Sequence, residues 1–184
     1  FGGNGASGLL SDTWEWNGTN WSQWTPALRP AARQLCSMAF DPSTQRVLLY
    51  GGFVDMNQFQ WRIDTWTWDG TAWQEHFPVT PPFPRTRRPS MVADLARSRV
   101  VLYGGTSYDI QTWEWDGTQW HASTPGSLGA VDGASAAYDT VRRDVLIFGG
   151  APWGNNATNT TWRYQTNSDA TATSSVGAYC STPH

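Results

Sequence analysis

Val47-Leu48-Leu49-Tyr50-Gly51-Gly52, followed by Thr65-Trp66-Thr67-Trp68-Asp69-Gly70-Thr71-Ala72-Trp73, is the stretch that decides the fold. An apolar run stopped by two glycines reads as a buried strand, ending where the backbone needs a freedom that a Cβ denies. The second part alternates. Thr-Trp-Thr-Trp puts both indoles on one face of a strand, because successive side chains point to opposite sides. Asp69-Gly70 then predicts a two-residue primed hairpin turn, and Trp73 opens the returning strand.

Outward from there the pattern returns. Gly-Gly pairs follow Phe1, Leu102-Tyr103 and Ile147-Phe148. Each is followed by an aromatic strand: Thr13-Trp14-Glu15-Trp16, Thr112-Trp113-Glu114-Trp115 and Thr161-Trp162-Arg163-Tyr164. In two of these a turn and a further Trp come next, as Asn17-Gly18-Thr19 before Trp21 and Asp116-Gly117-Thr118 before Trp120. Upstream of the glycine pairs lie apolar segments that end at an acid, as in Ser37-Met38-Ala39-Phe40-Asp41, with Asp94 and Asp139 in the same place. A repeat of about 50 residues is a signature of arrays and propellers. Each unit reads as four strands, called a to d here: a ends at the Asp, b at Gly-Gly, c carries Thr-Trp-x-Trp, and d opens with the last Trp.

The double Gly after strand b, the aromatic strand c and the Trp of strand d resemble the kelch repeat over residues 1–165. The resemblance implies an all-β fold, a β-propeller of four-stranded antiparallel blades with fewer than four blades in this chain. The expected units are 1–30 (partial), 31–84, 85–129 and 130–165, with 166–184 a Thr/Ser/Ala/Gly-rich tail or a linker to a following module. Trp14, Trp66, Trp113 and Trp162 share one position, and Trp21, Trp73 and Trp120 another. A residue present in unit after unit serves the blade, so these are the expected blade core. A partial ring leaves aromatic blade faces open, so further blades of the same chain, or another copy, are expected to cover them.

Composition narrows the function classes. The 184 residues carry 12 cationic and 15 anionic side chains, a net charge of −3, without the basic excess of a nucleic-acid binder. No apolar run approaches the ~18 residues of a membrane-crossing helix. Thirteen Trp, six Tyr and seven Phe argue for a packed core. The expectation is no nucleic acid and no membrane span.

Kelch propellers include binding scaffolds, oxidases, epimerases and adaptor domains, so the resemblance speaks to fold more than to activity. Catalytic groupings are thin. His76 and His121 lie near the strand-d Trp of their units, and His184 is terminal. Asp41, Asp94 and Asp139 repeat at a turn, where Asp holds local backbone. The Cys–Tyr–His set of kelch copper-radical enzymes has no place here, and neither a metal site nor a cofactor is expected. Arg85, Arg87 and Arg88 form a basic cluster that reads either as a solvated surface or as a grip on an acidic ligand. Sequons at Asn17, Asn20, Asn156 and Asn159 matter only in a source that glycosylates. Cys36 and Cys180 are too few for a disulfide framework; a bridge between them requires the tail to reach the second unit.

The residues that do not repeat carry the information. In an a-b-c-d meander the b–c and d–a connections emerge on one rim. Their lengths vary between units, whereas the a–b turns keep one length. Variable loops on a rigid frame are where function sits, or where neutral drift is tolerated. The candidate ligand- or partner-binding residues are Phe59, Trp61, Arg62, Tyr108, Asp109 and Trp153. The reading is a non-catalytic, secreted or extracellular propeller that binds or assembles, with a protein or a glycan on the rim. The alternative is a fragment of a kelch-type enzyme whose catalytic residues lie outside this chain.

Overall fold

The computed structural model describes residues 1–55, 60–82, 89–104, 112–123, 131–152 and 157–164. Its elements among these are all strands, and the repeat organises them. In the first unit β1 (Gly3–Gly5) and β2 (Gly8–Leu10) form a short hairpin, and β3 (Thr13–Trp16) pairs with β4 (Trp21–Trp24). The second unit holds β5 (Ser37–Asp41) and β6 (Arg46–Tyr50), a small hairpin of β7 (Phe53–Asp55) and β8 (Gln60–Trp61), then β9 (Thr65–Trp68) and β10 (Trp73–His76). The third holds β11 (Ser90–Asp94), β12 (Arg99–Tyr103), β13 (Thr112–Trp115) and β14 (Trp120–Ser123). The fourth holds β15 (Val131–Asp132), β16 (Ser135–Asp139), β17 (Asp144–Phe148), β18 (Ala151–Pro152) and β19 (Thr161–Tyr164).

The second and third units are four-stranded antiparallel meanders, β5-β6-β9-β10 and β11-β12-β13-β14. The fourth shows three strands, β16-β17-β19, and the first shows the c–d pair β3-β4. Strands β5, β11 and β16 lie side by side, so strand a is innermost and strand d outermost. This is the arrangement of propeller blades.

Period-2 alternation sends each strand's residues to two interfaces. From the second blade, Leu49, Trp66, Trp68 and Trp73 pack back toward the first unit, joined by Phe1 and Cys36. Leu48 and Tyr50 face forward and meet Met91, Val100, Leu102, Trp113, Trp115 and Trp120 of the third blade. Val101 and Tyr103 in turn face Val145, Ile147 and Tyr164 of the fourth. The second and third blades therefore turn their strand-c and strand-d indoles backward and their strand-c Thr forward.

Hydrogen bonds tie the same interfaces. Trp73 Nε1 donates to Thr13 Oγ1 of the preceding blade (2.9 Å), and Trp120 Nε1 donates to Thr65 Oγ1 (3.0 Å). Trp68 Nε1 donates to Glu15. The second blade has Thr67 where the first and third units carry Glu15 and Glu114, and there Trp115 Nε1 turns to Asp41 instead (3.1 Å). Asp41 is fully buried and also accepts from the Ser43 N–H, the Ser43 hydroxyl and the Thr44 hydroxyl. A buried carboxylate is tolerable only when supplied with donors in this way.

Two expectations are corrected. Trp14 and Trp21 belong to the repeated frame but are 43% and 63% exposed. They face backward like their counterparts, and among the described residues no blade lies behind them. Trp162 is half-buried against the fourth blade's core. The c–d connections are tight hairpins, but their central pair is shifted by one residue. Asn17 N–H bonds to Asn20 O, with Trp16 opposite Trp21, so the central pair is Gly18-Thr19. Asn17, Asp69 and Asp116 flank the turn and cap it, each Oδ1 accepting two backbone N–H groups. At the b–c junction Gly51 and Gly52 both have positive φ (70° and 109°), and a Cβ on Gly52 would meet Arg33, Gln34 and Cys36 at 3.1 Å.

Candidate functional site on the b–c and d–a rim

The second blade carries a cleft of about 320 Å³ on the rim where strand c begins and strand d ends. One wall is the b–c connection, Trp61, Arg62, Ile63 and Asp64; the other is the end of β10 and the segment after it, Glu75, His76, Phe77, Pro78 and Pro81. The backbone explains why these residues meet. Arg62 N–H donates to Gly52 O, and Gly51 N–H to Asp64 O, which folds the connection back over the glycine pair. The β9–β10 pairing sets Thr65 opposite His76, so the residues just beyond each strand flank one opening.

Trp61 is half-buried, its ring 4.7 Å from Phe53 at 60°. Arg62 is exposed, and so are Ile63 and Phe77. The mouth therefore combines a fixed indole, a free-standing apolar ring and a guanidinium. Deeper in, Asp64 is engaged: Arg33, fully buried, donates to both of its oxygens at 2.6 and 2.7 Å, and Trp66 Nε1 donates at 2.9 Å. Burial works to raise the Asp64 carboxyl, but the Arg33 hydrogen bonds and charge hold it below the usual range. Arg33 also donates to the backbone carbonyls of Ala31 and Gly51, so it pins the approach to the second blade.

His76 shares a 2.9 Å hydrogen bond with Thr67 Oγ1 and meets the Trp115 ring edge-on at 5.5 Å. Burial, followed by the Arg46 charge, pushes its imidazole below the ordinary value, with Asp41 opposing. The neutral ring is the form this wall favours.

Of the sequence-derived rim residues, the cleft brings together Trp61 and Arg62. Phe59, Tyr108, Asp109 and Trp153 lie outside the described residues. So does the Arg85/Arg87/Arg88 cluster, and so does Cys180; Cys36 is a free, half-buried thiol whose proton burial retains to higher pH. Glu75, His76 and Phe77 were missed as a second wall. The signal that could have found them is positional, since the end of strand d must emerge beside the start of strand c. Among the described residues no group of three His, Cys, Asp or Glu side chains is gathered as a cation would need. No described helix is long and apolar enough to cross a membrane.

No protein-family profile matches the sequence, and no curated relative does. Among solved structures the chain is similar to the one titled "Structure of YjhT", with a TM-score of 0.65 at 12% identity. The match covers 88% of this chain and 51% of that one, so the chain spans about half the length of that neighbour. At this identity the likeness speaks for the fold, and it agrees with the blades described above.

Proposed function

We propose that this chain forms part of a kelch-type propeller acting outside the cell as a binding scaffold, with its ligand seated on the b–c and d–a rim. The observation that carries this reading is the cleft itself: Trp61, Arg62 and Phe77 converge at its mouth on a rigid four-stranded blade. Ligand sites of this size are mostly apolar, with a few placed polar groups. An indole face and a guanidinium suit a glycan, whose ring CH groups stack while its oxygens accept hydrogen bonds; they also suit a protein loop bearing a carboxylate. Two titratable groups of the cleft are already committed, Asp64 to Arg33 and His76 to Thr67, which favours recognition over proton transfer.

The test is a titration of an oligosaccharide panel, neutral and uronic-acid-containing, followed by indole fluorescence and chemical-shift mapping. Trp61→Ala and Arg62→Ala are expected to keep the melting temperature within a few degrees and to weaken binding about tenfold or more. If Trp61→Ala unfolds the protein, or leaves binding of an identified sugar unchanged, the rim reading fails.

A further inference from the structure

Of the three described c–d turn caps, Asn17 is the amide. Asp69 and Asp116 hold the same place in the second and third units, each followed by Gly-Thr as Asn17 is. In all three the Oδ1 accepts two backbone N–H groups, those of the second and third residues on. For Asn17 the donors are Thr19 and Asn20, both at 2.9 Å. A carboxylate takes such bonds more strongly than an amide does. The Ala72 and Thr71 N–H groups accordingly hold the Asp69 carboxyl below its ordinary value. The first unit therefore carries the weaker acceptor in a socket built for the stronger one.

The same geometry prepares a reaction. The residue after Asn17 is Gly18, whose nitrogen has no Cβ beside it and donates no hydrogen bond among the described residues. The bond from Thr19 N–H to Oδ1 closes a ring that contains both Cγ of Asn17 and the Gly18 nitrogen, so the cap folds the side-chain carbonyl back over that nitrogen. When the Gly18 nitrogen gives its proton to water and adds to Cγ, negative charge develops on Oδ1. Two N–H donors already point there, which is the arrangement of an oxyanion hole. The bond from Cγ to the side-chain nitrogen then breaks, and ammonia leaves a cyclic imide. Water adds to Cγ, the new bond to the Gly18 nitrogen breaks, and an aspartate remains with the peptide bond intact. One water is consumed and one ammonia released, with nothing oxidised or reduced. Residues 17–20 are all exposed, so water reaches both steps.

We infer that Asn17 is a self-modifying site: the backbone donors of its own turn drive conversion of the amide to a carboxylate, which gives the first unit the acidic cap that the second and third units encode. The change adds one negative charge beside the exposed Trp16–Trp21 pair. The chain holds its own control. Asn4-Gly5 is the same dipeptide, but Asn4 lies within β1 opposite Leu9, and among the described residues its side chain accepts no backbone N–H. If the dipeptide alone decided the rate, the two sites would react alike.

The experiment incubates the full 184-residue protein in mildly alkaline buffer below its melting temperature and follows both sites by peptide mapping. Synthetic standards separate aspartate from isoaspartate. In the folded protein Asn17 is expected to convert about tenfold faster than Asn4, mainly to aspartate. In denaturing urea, where no cap forms, the two rates should converge. Asp69→Asn puts the same amide into the second unit's turn, at an exposed position that the fold tolerates. It is expected to revert to aspartate at a rate close to that of Asn17. The inference is overturned if Asn4 keeps pace with Asn17 in the folded protein, or if urea speeds the reaction at Asn17. It is overturned equally if the amide of Asp69→Asn persists while Asn17 reacts. Isoaspartate as the main product would also overturn it, because that linkage adds an atom to the main chain of a hairpin closed from Asn17 N–H to Asn20 O and cannot restore the acidic cap.

Discussion

The first and second units use the same strand-c and strand-d residues to opposite effect. Trp16 is 52% exposed, whereas Trp68 and Trp115, its equivalents, are 4% and 0% exposed. Trp21 is open to solvent, whereas Trp73 and Trp120 are buried and hydrogen-bonded. Local geometry is no different: β3-β4 and β9-β10 pair in the same register about the same turn. Burial in this fold is thus a property of the interface between successive blades, and the motif supplies only half of it. Stability should rise from the first unit to the interior ones, as in other repeat architectures where neighbours stabilise neighbours.

The sharpest way to break that comparison is to truncate equivalent tryptophans. Trp120→Ala is expected to cost about 3–5 kcal/mol, since it opens a cavity beside Tyr50 and Trp115 and strands the Thr65 hydroxyl. Trp21→Ala should cost about 1 kcal/mol or less, because it removes only the tilted contact with Trp16, centroids 5.6 Å apart. Denaturant midpoints of the two variants measure the difference. Equal losses would mean that something covers the first unit's open face in solution.

Next in size is the ion pair that holds the second blade's entry. Asp64→Asn leaves the buried Arg33 guanidinium without its counter-charge and should cost about 3 kcal/mol. Its pH signature has a definite sign. The folded Asp64 carboxyl titrates below the ordinary value of 3.8. Its contribution is therefore fully present above that value and is lost as pH falls through the lower, folded value. A plot of unfolding free energy between pH 5 and the acid limb should be steeper for the unaltered protein than for Asp64→Asn. Parallel curves would show that Arg33 finds other acceptors.

How far this was legible beforehand can be judged residue by residue. Strand a of the second unit is Ser37–Asp41 in the sequence reading and in the structure alike, because a short apolar run that ends at a turn-capping Asp has few other solutions. The exposure of Trp14 and Trp21 was not legible, since it depends on what stands behind the first unit and not on its own residues. The turn register was off by one, because Asn-Gly and Asp-Gly favour a primed turn whether Asn or Asp sits inside it or caps it from outside. Asp64 was overlooked although Asp12-Thr13-Trp14 and Asp64-Thr65-Trp66 repeat it. In both places the carboxylate two residues before the Trp accepts its indole N–H. The cleft's second wall follows from the c–d hairpin, which sets the end of β10 beside the start of β9, but the sequence reading weighed the connections of variable length and passed over the strand ends.

A smaller effect separates the two kinds of interblade bond. Thr65→Val removes the acceptor for Trp120 Nε1 and leaves a buried donor unpaired, which should cost about 1–3 kcal/mol. Thermal unfolding against Thr65→Ser, which keeps the acceptor, reads it. No difference between Val and Ser would assign the Trp120 contribution to packing alone.

The smallest expected effect is also the cleanest comparison of a covered turn with an open one. Gly18 and Gly117 have the same backbone, φ of 98° and 99°, in the same position of the same turn. An alanine at either pays the same conformational cost, because an L side chain is strained at that φ. The surroundings differ. A Cβ on Gly18 would meet nothing within 4 Å, whereas one on Gly117 would lie 2.6 Å from Ser43 Oγ and 3.2 Å from Thr44 Cγ2, in the a–b turn of the preceding blade. Gly70, whose preceding unit shows no a–b turn among the described residues, has open space like Gly18. Subtracting the loss in Gly18→Ala from that in Gly117→Ala therefore cancels the backbone term and leaves the contact between blades. Ser43 also supplies two of the hydrogen bonds that satisfy buried Asp41, so it cannot swing away without loosening that carboxylate. A difference of about 1 kcal/mol, Gly117→Ala being the worse, is the expected outcome of paired denaturation curves. If the two losses agree, the turns of successive blades do not touch in solution, and burial in the interior blades rests on the indoles alone.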